Sequence, residues 1–358
     1  MQSAKNKKWW LKPLVLIVVV ALLHLFMLQG YWIENVYSIH IYPVVSYLLR
    51  ALTGWLPFSI GDVLYGIAFI WLFIKIIQFL RHKPTWIKFF FAIRTLVVKC
   101  LWVYIIFLVL WGLNYYRYGI GYQLNVIPEE YSTEDLKNTT AQLLQNLNSN
   151  ARRLDSIHFK YPGNKNIFNE AVQMYRDAQN QYPYLQYKNA DVKQMIAGTI
   201  GSYCGFLGYY NPFTGEAQVN TTAPDFVIPF TTCHEMAHQL GYASESEASF
   251  IGYLITKYNN KPAFNYSAYF DLFSYANSEL YQRDSAAAKQ NIRSLDTLVK
   301  RDYAVYKKYL QDYRNPIEPL LTKLYGNYLK ANNQPKGIQS YDEVVAWVVA
   351  YYKKYGSL

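Results

Sequence analysis

Three apolar stretches in the first 118 residues leave the chain few folds to choose from. They are LVLIVVVALLHLFMLQ from Leu14, IGDVLYGIAFIWLFIKIIQFL from Ile60, and LVVKCLWVYIIFLVLWGL from Leu96. A run of about 20 such residues is long enough to cross a bilayer. In lipid the backbone must satisfy its own N–H and C=O groups, which an open segment achieves only as a helix. The expectation is three helical spans, at about 11–29, 60–80 and 96–113, anchoring residues 1–118 in the lipid bilayer. The first run also fits a secretory signal, with Lys5, Lys7, Lys8 and Lys12 as its basic start, but no Ala-x-Ala-like site follows it. Asp62 and Lys99 sit near span ends, and Lys75 has to snorkel. His24 has no acidic partner in the spans, so the segments read as an anchor rather than an ion path.

Charge supports this division. Up to Tyr118 there are twelve Lys or Arg against only Glu34 and Asp62; from Gly119 onward there are 23 basic and 22 acidic residues. The overall net charge of +11 therefore belongs to the N-terminal third, and residues 119–358 lack the basic surplus of a nucleic-acid binder. The N-terminus and the RHKPTWIKFFFAIR loop, with Arg81, Lys83, Lys88 and Arg94, hold most of the basic residues. Both should face the cytoplasm. The loop from Tyr31 to Pro57 then lies outside, its amphipathic middle on the outer membrane surface, and residues 119–358 form an extracytoplasmic domain.

Within that domain, TTCHEMAHQLGYASESEASF contains His234-Glu235-x-x-His238. Histidines four apart on a helix project from one face. That spacing lets two imidazoles share a Zn²⁺ at roughly 2.0–2.1 Å, with Glu235 placed to take a proton from the activated water. The plainer alternative is two satisfied core histidines. Gly241 stands where a helix would stop in a left-handed turn. Ser244 can cap a following helix that begins with Glu245 and Glu247, either of which could be the third ligand. Cys204 and Cys233 either pair or remain buried thiols, and no Cys-x-x-Cys is present.

The rest of the domain reads as mainly helical. Helices are expected from Ser132 to Asn148, Asn166 to Gln181, Pro224 to Leu240, Ser244 to Tyr258, Phe264 to Tyr281, Asp284 to Tyr313, Ile317 to Ala331 and Ser340 to Tyr355. Between the second and third of these, GSYCGFLGYYNPFTGEAQVNTT reads as a β-hairpin turning at Asn211 to Gly215. Its second strand, Glu216, Ala217, Gln218, Val219 and Asn220 with Thr221, is the candidate edge strand for an extended peptide substrate.

The ESEASF segment resembles the Glu-x-x-Ala segment of gluzincin metallopeptidases, and that resemblance implies Glu245 as the third ligand, with Glu247 as the alternative. An aspartate often follows that alanine; here it is Ser249. The spacing is nearer the metzincin layout, but Ser244 stands where a third histidine would be. The whole arrangement, with three spans, GEAQVN, HEMAHQLG, ESEASF and a terminal SYDEVV helix, resembles a family of membrane-anchored bacterial proteins of unknown function grouped with the zincin-like metallopeptidases. The resemblance implies a zincin-like domain with a Zn²⁺ cofactor in the bacterial inner membrane, hydrolysing peptide or protein substrates. Glu235 would be general base, and an oxyanion donor would come from a later helix, with Tyr328 and Tyr341 as candidates. A zinc-binding scaffold without turnover is the alternative function.

Overall fold

The computed structural model describes residues 11–81 and 85–358. The basic residues Lys5, Lys7, Lys8 and Lys83, on which the orientation argument partly rests, lie outside the described residues. The chain is mainly helical with one small three-stranded sheet.

Helix α1 (Leu11–Met27) turns by 89° into a helical segment over Gly30–Thr53. That segment is a π-helix over Ile33–Ile41 followed by α2 (Tyr42–Thr53). Then come α3 (Ile60–Arg81) and α4 (Trp86–Leu110). Among the described residues two helices, α3 with 22 residues and α4 with 25, are long and apolar enough to cross a membrane, and the bent pair makes a third if counted as one span. The third span starts ten residues before its expected position. WIKFFFAIR continues the apolar helix instead of forming a loop, with Lys88 exposed so that its long stem can carry the charge outward. His24 is not solitary: its Nε2 lies 3.0 Å from the Tyr104 hydroxyl on α4.

The segment from Tyr31 to Pro57, expected to be amphipathic, is so. Its polar side faces inward: Ser38, Ser46, Arg50 and Thr53 are buried, while Val44, Leu48, Leu52 and Trp55 are exposed. The buried side packs on the C-terminal residues. Arg50 donates to the carbonyls of Gln239 (3.0 Å) and Lys188 (2.9 Å), and Ser46 Oγ to Gln239 O (2.8 Å). Glu34, fully buried, takes Arg117 at 2.8 Å together with the Gly119 amide and Gln123. Hydrogen bonds therefore cross the 118/119 boundary throughout.

After the short α5 (Gly119–Leu124), α6 (Thr133–Ser156) opens on a capping box. The Ser132 hydroxyl accepts from the Asp135 amide, and the Asp135 carboxylate accepts from the Ser132 amide. Next is α7 (Asn164–Ala178), then β1 (Val192–Gln194), α8 (Gly198–Tyr203), β2 (Gly208–Tyr210) and β3 (Ala217–Val219). β2 and β3 form the antiparallel hairpin foreseen around Asn211 to Gly215, with Gly215 at φ +73°. β1, unmarked in the sequence, pairs parallel with β3 on its other side. The sheet order is β1-β3-β2, so β3 is the central strand, and Glu216, Ala217, Gln218, Val219 and Asn220 are not a free edge. Both sides of their backbone ladder are occupied.

Glu216 has a different task. It accepts from the amides of Ile60 (2.9 Å) and Gly61 (2.6 Å), from Thr214 Oγ1 (2.7 Å) and from Lys193 Nζ (2.7 Å). Its charge sits at the N-terminus of α3, where the helix dipole favours an anion. Burial pulls its pKa up, yet Lys193, Thr214 and the two amides bring it below the usual carboxylate value. Glu216→Ala strips a buried cation of its main partner and uncaps α3. It should cost about 3–5 kcal/mol, read as a lower thermal midpoint of the chain in detergent.

The remaining helices are α9 (Ile228–Gln239), α10 (Glu245–Asn259), α11 (Pro262–Arg283), α12 (Ser285–Arg293), α13 (Thr297–Asp312), α14 (Glu318–Ala331) and α15 (Val344–Tyr355). The single helix expected from Asp284 to Tyr313 is broken in two, because Asp284 and Asp296 each cap a new start. Ser340 closes a 3₁₀ turn rather than capping α15. All three cysteines are free, so Cys204 and Cys233 do not pair.

Candidate metal centre

Every residue of α9 is buried, so the motif helix runs through the middle of the core. Pro229 occupies its first turn, where a missing N–H costs nothing. The helix stops at Gly241, at φ +86°. The Gly241 amide donates to His238 O (2.9 Å) and the Tyr242 amide to Ala237 O (3.4 Å), the paired bonds of a Schellman stop. A Cβ on Gly241 would lie 2.8 Å from the Tyr42 ring, so glycine is required twice over. The reversal carries the chain into α10, whose first residue is Glu245.

His234, His238 and Glu245 meet there, all buried, with their ligating atoms within 4.8 Å of one another. The separations are 3.2 Å from His234 Nε2 to His238 Nε2, 3.2 Å from His234 Nε2 to Glu245 Oε2 and 3.3 Å from His238 Nε2 to Glu245 Oε2. A tetrahedron with bonds of about 2.0 Å, the zinc–nitrogen length, has edges of about 3.3 Å. The three atoms therefore stand at three corners of such a tetrahedron. Both rings are held by their other nitrogen: His238 Nδ1 donates to Tyr242 O (2.7 Å), and His234 Nδ1 lies 3.0 Å from Ser249 Oγ. These partners orient the Nε2 atoms toward the common point. Ser249 supplies the support that an aspartate would give at that position. Ser249→Ala is expected to weaken metal binding by about 10–100-fold, measured by competition with a chromogenic chelator.

Within the cluster the side chains shift one another's charge. Burial opposes charge on His238, but the Glu245 carboxylate overrides it and pushes the imidazole up to about 9. Burial likewise raises Glu245, yet His238 and His234 hold it well below the carboxylate range. His234, with burial dominant, is lowered.

Glu247 is elsewhere. Its Oε1 accepts from the Ile120 amide (2.8 Å), and a Cβ on Gly119 would fall 1.9 Å from it. Burial raises its pKa to about 7, against the pull of Arg117. It braces α5 and does not face the histidines. Of the two alternatives for the third corner, the geometry selects Glu245.

Glu235 is buried at 4% exposure, and its Oε2 has no hydrogen-bond partner. Burial, aided by Glu245 and opposed by His238, pushes its carboxyl up to about 8. A Cβ on Gly208 of β2 would sit 2.6 Å from Glu235 Oε1, so the sheet's free edge lies against this carboxylate. Two clefts open here, of about 480 Å³ and 540 Å³. They share Glu235, Gly208, Phe206, Tyr325 and Tyr341.

Of the two tyrosines expected as oxyanion donors, Tyr341 lies in the site, its ring parallel to His234 at 6.2 Å between centroids. Tyr328 lines the second cleft, but its hydroxyl is engaged by Tyr115 at 3.1 Å. A third tyrosine, Tyr325, donates its hydroxyl to Glu245 Oε1 (2.8 Å), and that hydroxyl lies 3.4 Å from that of Tyr341. Among 36 tyrosines nothing in the sequence distinguishes it.

No curated protein and no solved structure matches the chain. Residues 37–349 match the family described as "Protein of unknown function (DUF3810)". The matched region begins inside the π-helix, leaves out α1 and takes in α3, α4 and all four site residues. The chain belongs to the DUF3810 family of proteins of unknown function.

Proposed function

We propose that this chain is a membrane-anchored zinc metallopeptidase of zincin-like type. The observation that carries the reading is the near-equilateral triangle of His234 Nε2, His238 Nε2 and Glu245 Oε2, with the partnerless Glu235 oxygen beside it. Three protein donors of the N,N,O kind leave one tetrahedral corner for water or substrate, the pattern of catalytic rather than structural zinc. When bound, Zn²⁺ would supply a Lewis acid that polarises the scissile carbonyl and makes water acidic enough to react near neutral pH.

The chain's own residues account for the rest. Glu235, kept protonatable by burial, takes the proton of the attacking water and delivers it to the departing amine. Tyr325 and Tyr341 hold hydroxyls on the cleft wall, where a donor to the developing oxyanion is needed. β2, not β3, is the free sheet edge at the site and the strand on which an extended peptide would pair. A scaffold without turnover has no use for a buried carboxylate lacking a hydrogen-bond partner, which costs stability. We place the domain outside the cytoplasm, following the basic residues at the N-terminus and between α3 and α4.

The test is elemental analysis and peptide-library proteolysis on the full chain in nanodiscs. The reading expects one zinc per chain and cleavage abolished by chelation. Zinc without cleavage of any library peptide would leave the scaffold, and absence of zinc would sink both.

A further inference from the structure

The two clefts that meet at Glu235 differ in what they are made of. The first contains Thr231, Asp271, Thr322, Gln339 and Asp342 among its walls and is suited to a polypeptide. The second is lined by His238 and Glu245 and also by Tyr65 of α3 and Phe107 of α4. Both of those helices are apolar enough to cross a membrane. Trp111, Met195, Ile200 and Phe213 complete an apolar arm.

Beside its mouth, Ile196, Ile200 and Tyr203 are exposed, on a segment tied to α3 by Asp62, which accepts from the Ile196 amide (2.6 Å) and from the Tyr209 hydroxyl. Leu52, Trp55 and Phe58 of the polar-in, apolar-out segment are also exposed. The arm is thus continuous with surface that lipid would cover, and two of the metal ligands line the same cleft.

Several polar side chains of the arm are already used. Asp62 is engaged as described, Tyr210 OH lies 3.1 Å from Tyr42 OH, and Tyr115 OH 3.1 Å from Tyr328 OH. Away from the β2 edge, a peptide segment in the arm would bury N–H and C=O groups with few partners to bond them. A hydrocarbon chain carries no such groups.

Resting on the metallopeptidase reading, we propose that the substrate is an acylated polypeptide whose lipid chain lies in this arm while its peptide occupies the first cleft. The bond broken is an amide of the polypeptide: water adds its oxygen to the carbonyl, the C–N bond breaks and the amine leaves with a proton. The acyl group is an anchor and does not react.

The experiment uses the full chain with zinc in nanodiscs of phosphatidylethanolamine and phosphatidylglycerol. A palmitoylated peptide library with a diazirine on the acyl chain is photo-crosslinked to the Glu235→Gln chain, and a library without the acyl chain serves as control. Crosslinks are expected on Phe107, Ile200 and Phe213, displaced by the underivatised palmitoylated library and not by the plain one. The wild-type chain should cleave the palmitoylated library at least tenfold faster, and Ala197→Trp, which fills the arm, should bring that ratio toward one. Crosslinks confined to outward faces of α3 and α4, equal cleavage of both libraries, or equal displacement by an apolar transmembrane peptide would each overturn the proposal. Crosslinking in the arm without cleavage of either library would uphold the arm and overturn the peptidase.

Discussion

Glu235→Gln is expected to lower peptide hydrolysis by about 10²–10⁴-fold, the usual worth of a positioned general base. It should do so without loss of metal or fold. The carboxylate is buried with one oxygen unpartnered, and burial, aided by Glu245 against His238, raises it to about 8. Ionising it inside the core costs stability, which a neutral amide of the same shape does not. The variant should therefore melt no lower than the wild type. The measurement pairs kcat on a cleaved library peptide with zinc content and thermal midpoint. A variant that loses zinc or unfolds would show Glu235 to be structural, and one that retains full activity would remove it from the mechanism.

The second large effect separates two glutamates two residues apart. Glu245→Ala removes one corner of the donor triangle and should weaken zinc binding by more than the about 10–100-fold that a supporting residue is worth. Glu247→Gln should keep its zinc, because its partner is the Ile120 amide and not the metal cluster. Its signature is instead a change in stability with pH. Burial holds the Glu247 carboxyl up to about 7, against 4.5 for a free glutamate. Between those values the folded chain keeps a proton that the unfolded chain has released. The stability this group contributes is complete below about 4.5 and lost as pH rises through about 7. Glu247→Gln should flatten that decline, seen in thermal midpoints from pH 4 to 8. Loss of zinc in Glu247→Gln with retention in Glu245→Ala would reverse the assignment.

How much was legible follows from the range of each signal. The apolar runs, the capping box at Ser132, the hairpin at Asn211 to Gly215 and the stop at Gly241 are local, written in residues a few positions apart. The His234, Glu235 and His238 spacing is local too, since a helix puts i and i+4 on one face. Glu245 over Glu247 was suggested only by a short resemblance, because both carboxylates follow the same turn and differ in which side of α10 they leave.

Long-range pairings were not legible. β1 is three residues long and carries no strand signature, yet its pairing turns the expected edge strand into the centre of the sheet. Glu216 looked like part of a substrate-binding strand and is the anion at the start of α3, 155 residues away in sequence from the Gly61 amide it accepts. Tyr325 was hidden by the sheer number of tyrosines.

The sequence by itself determined the apolar spans, the mainly helical C-terminal half and the motif that brings His234, Glu235 and His238 to one place, because hydropathy and helical period act over a few residues. Only the tertiary structure decided which residues of the first 118 pair with the rest of the chain. Glu34, Arg50 and Thr53 look like residues of an anchor, but they are buried against Arg117, Gln239 and Asp191. A charge or hydroxyl taken from water must find its partner wherever the fold supplies one. Here Gln239 and Asp191 come from the far half of the chain and Arg117 from just before Gly119, so the segment around Glu34 to Thr53 and the site helix pack as one structure.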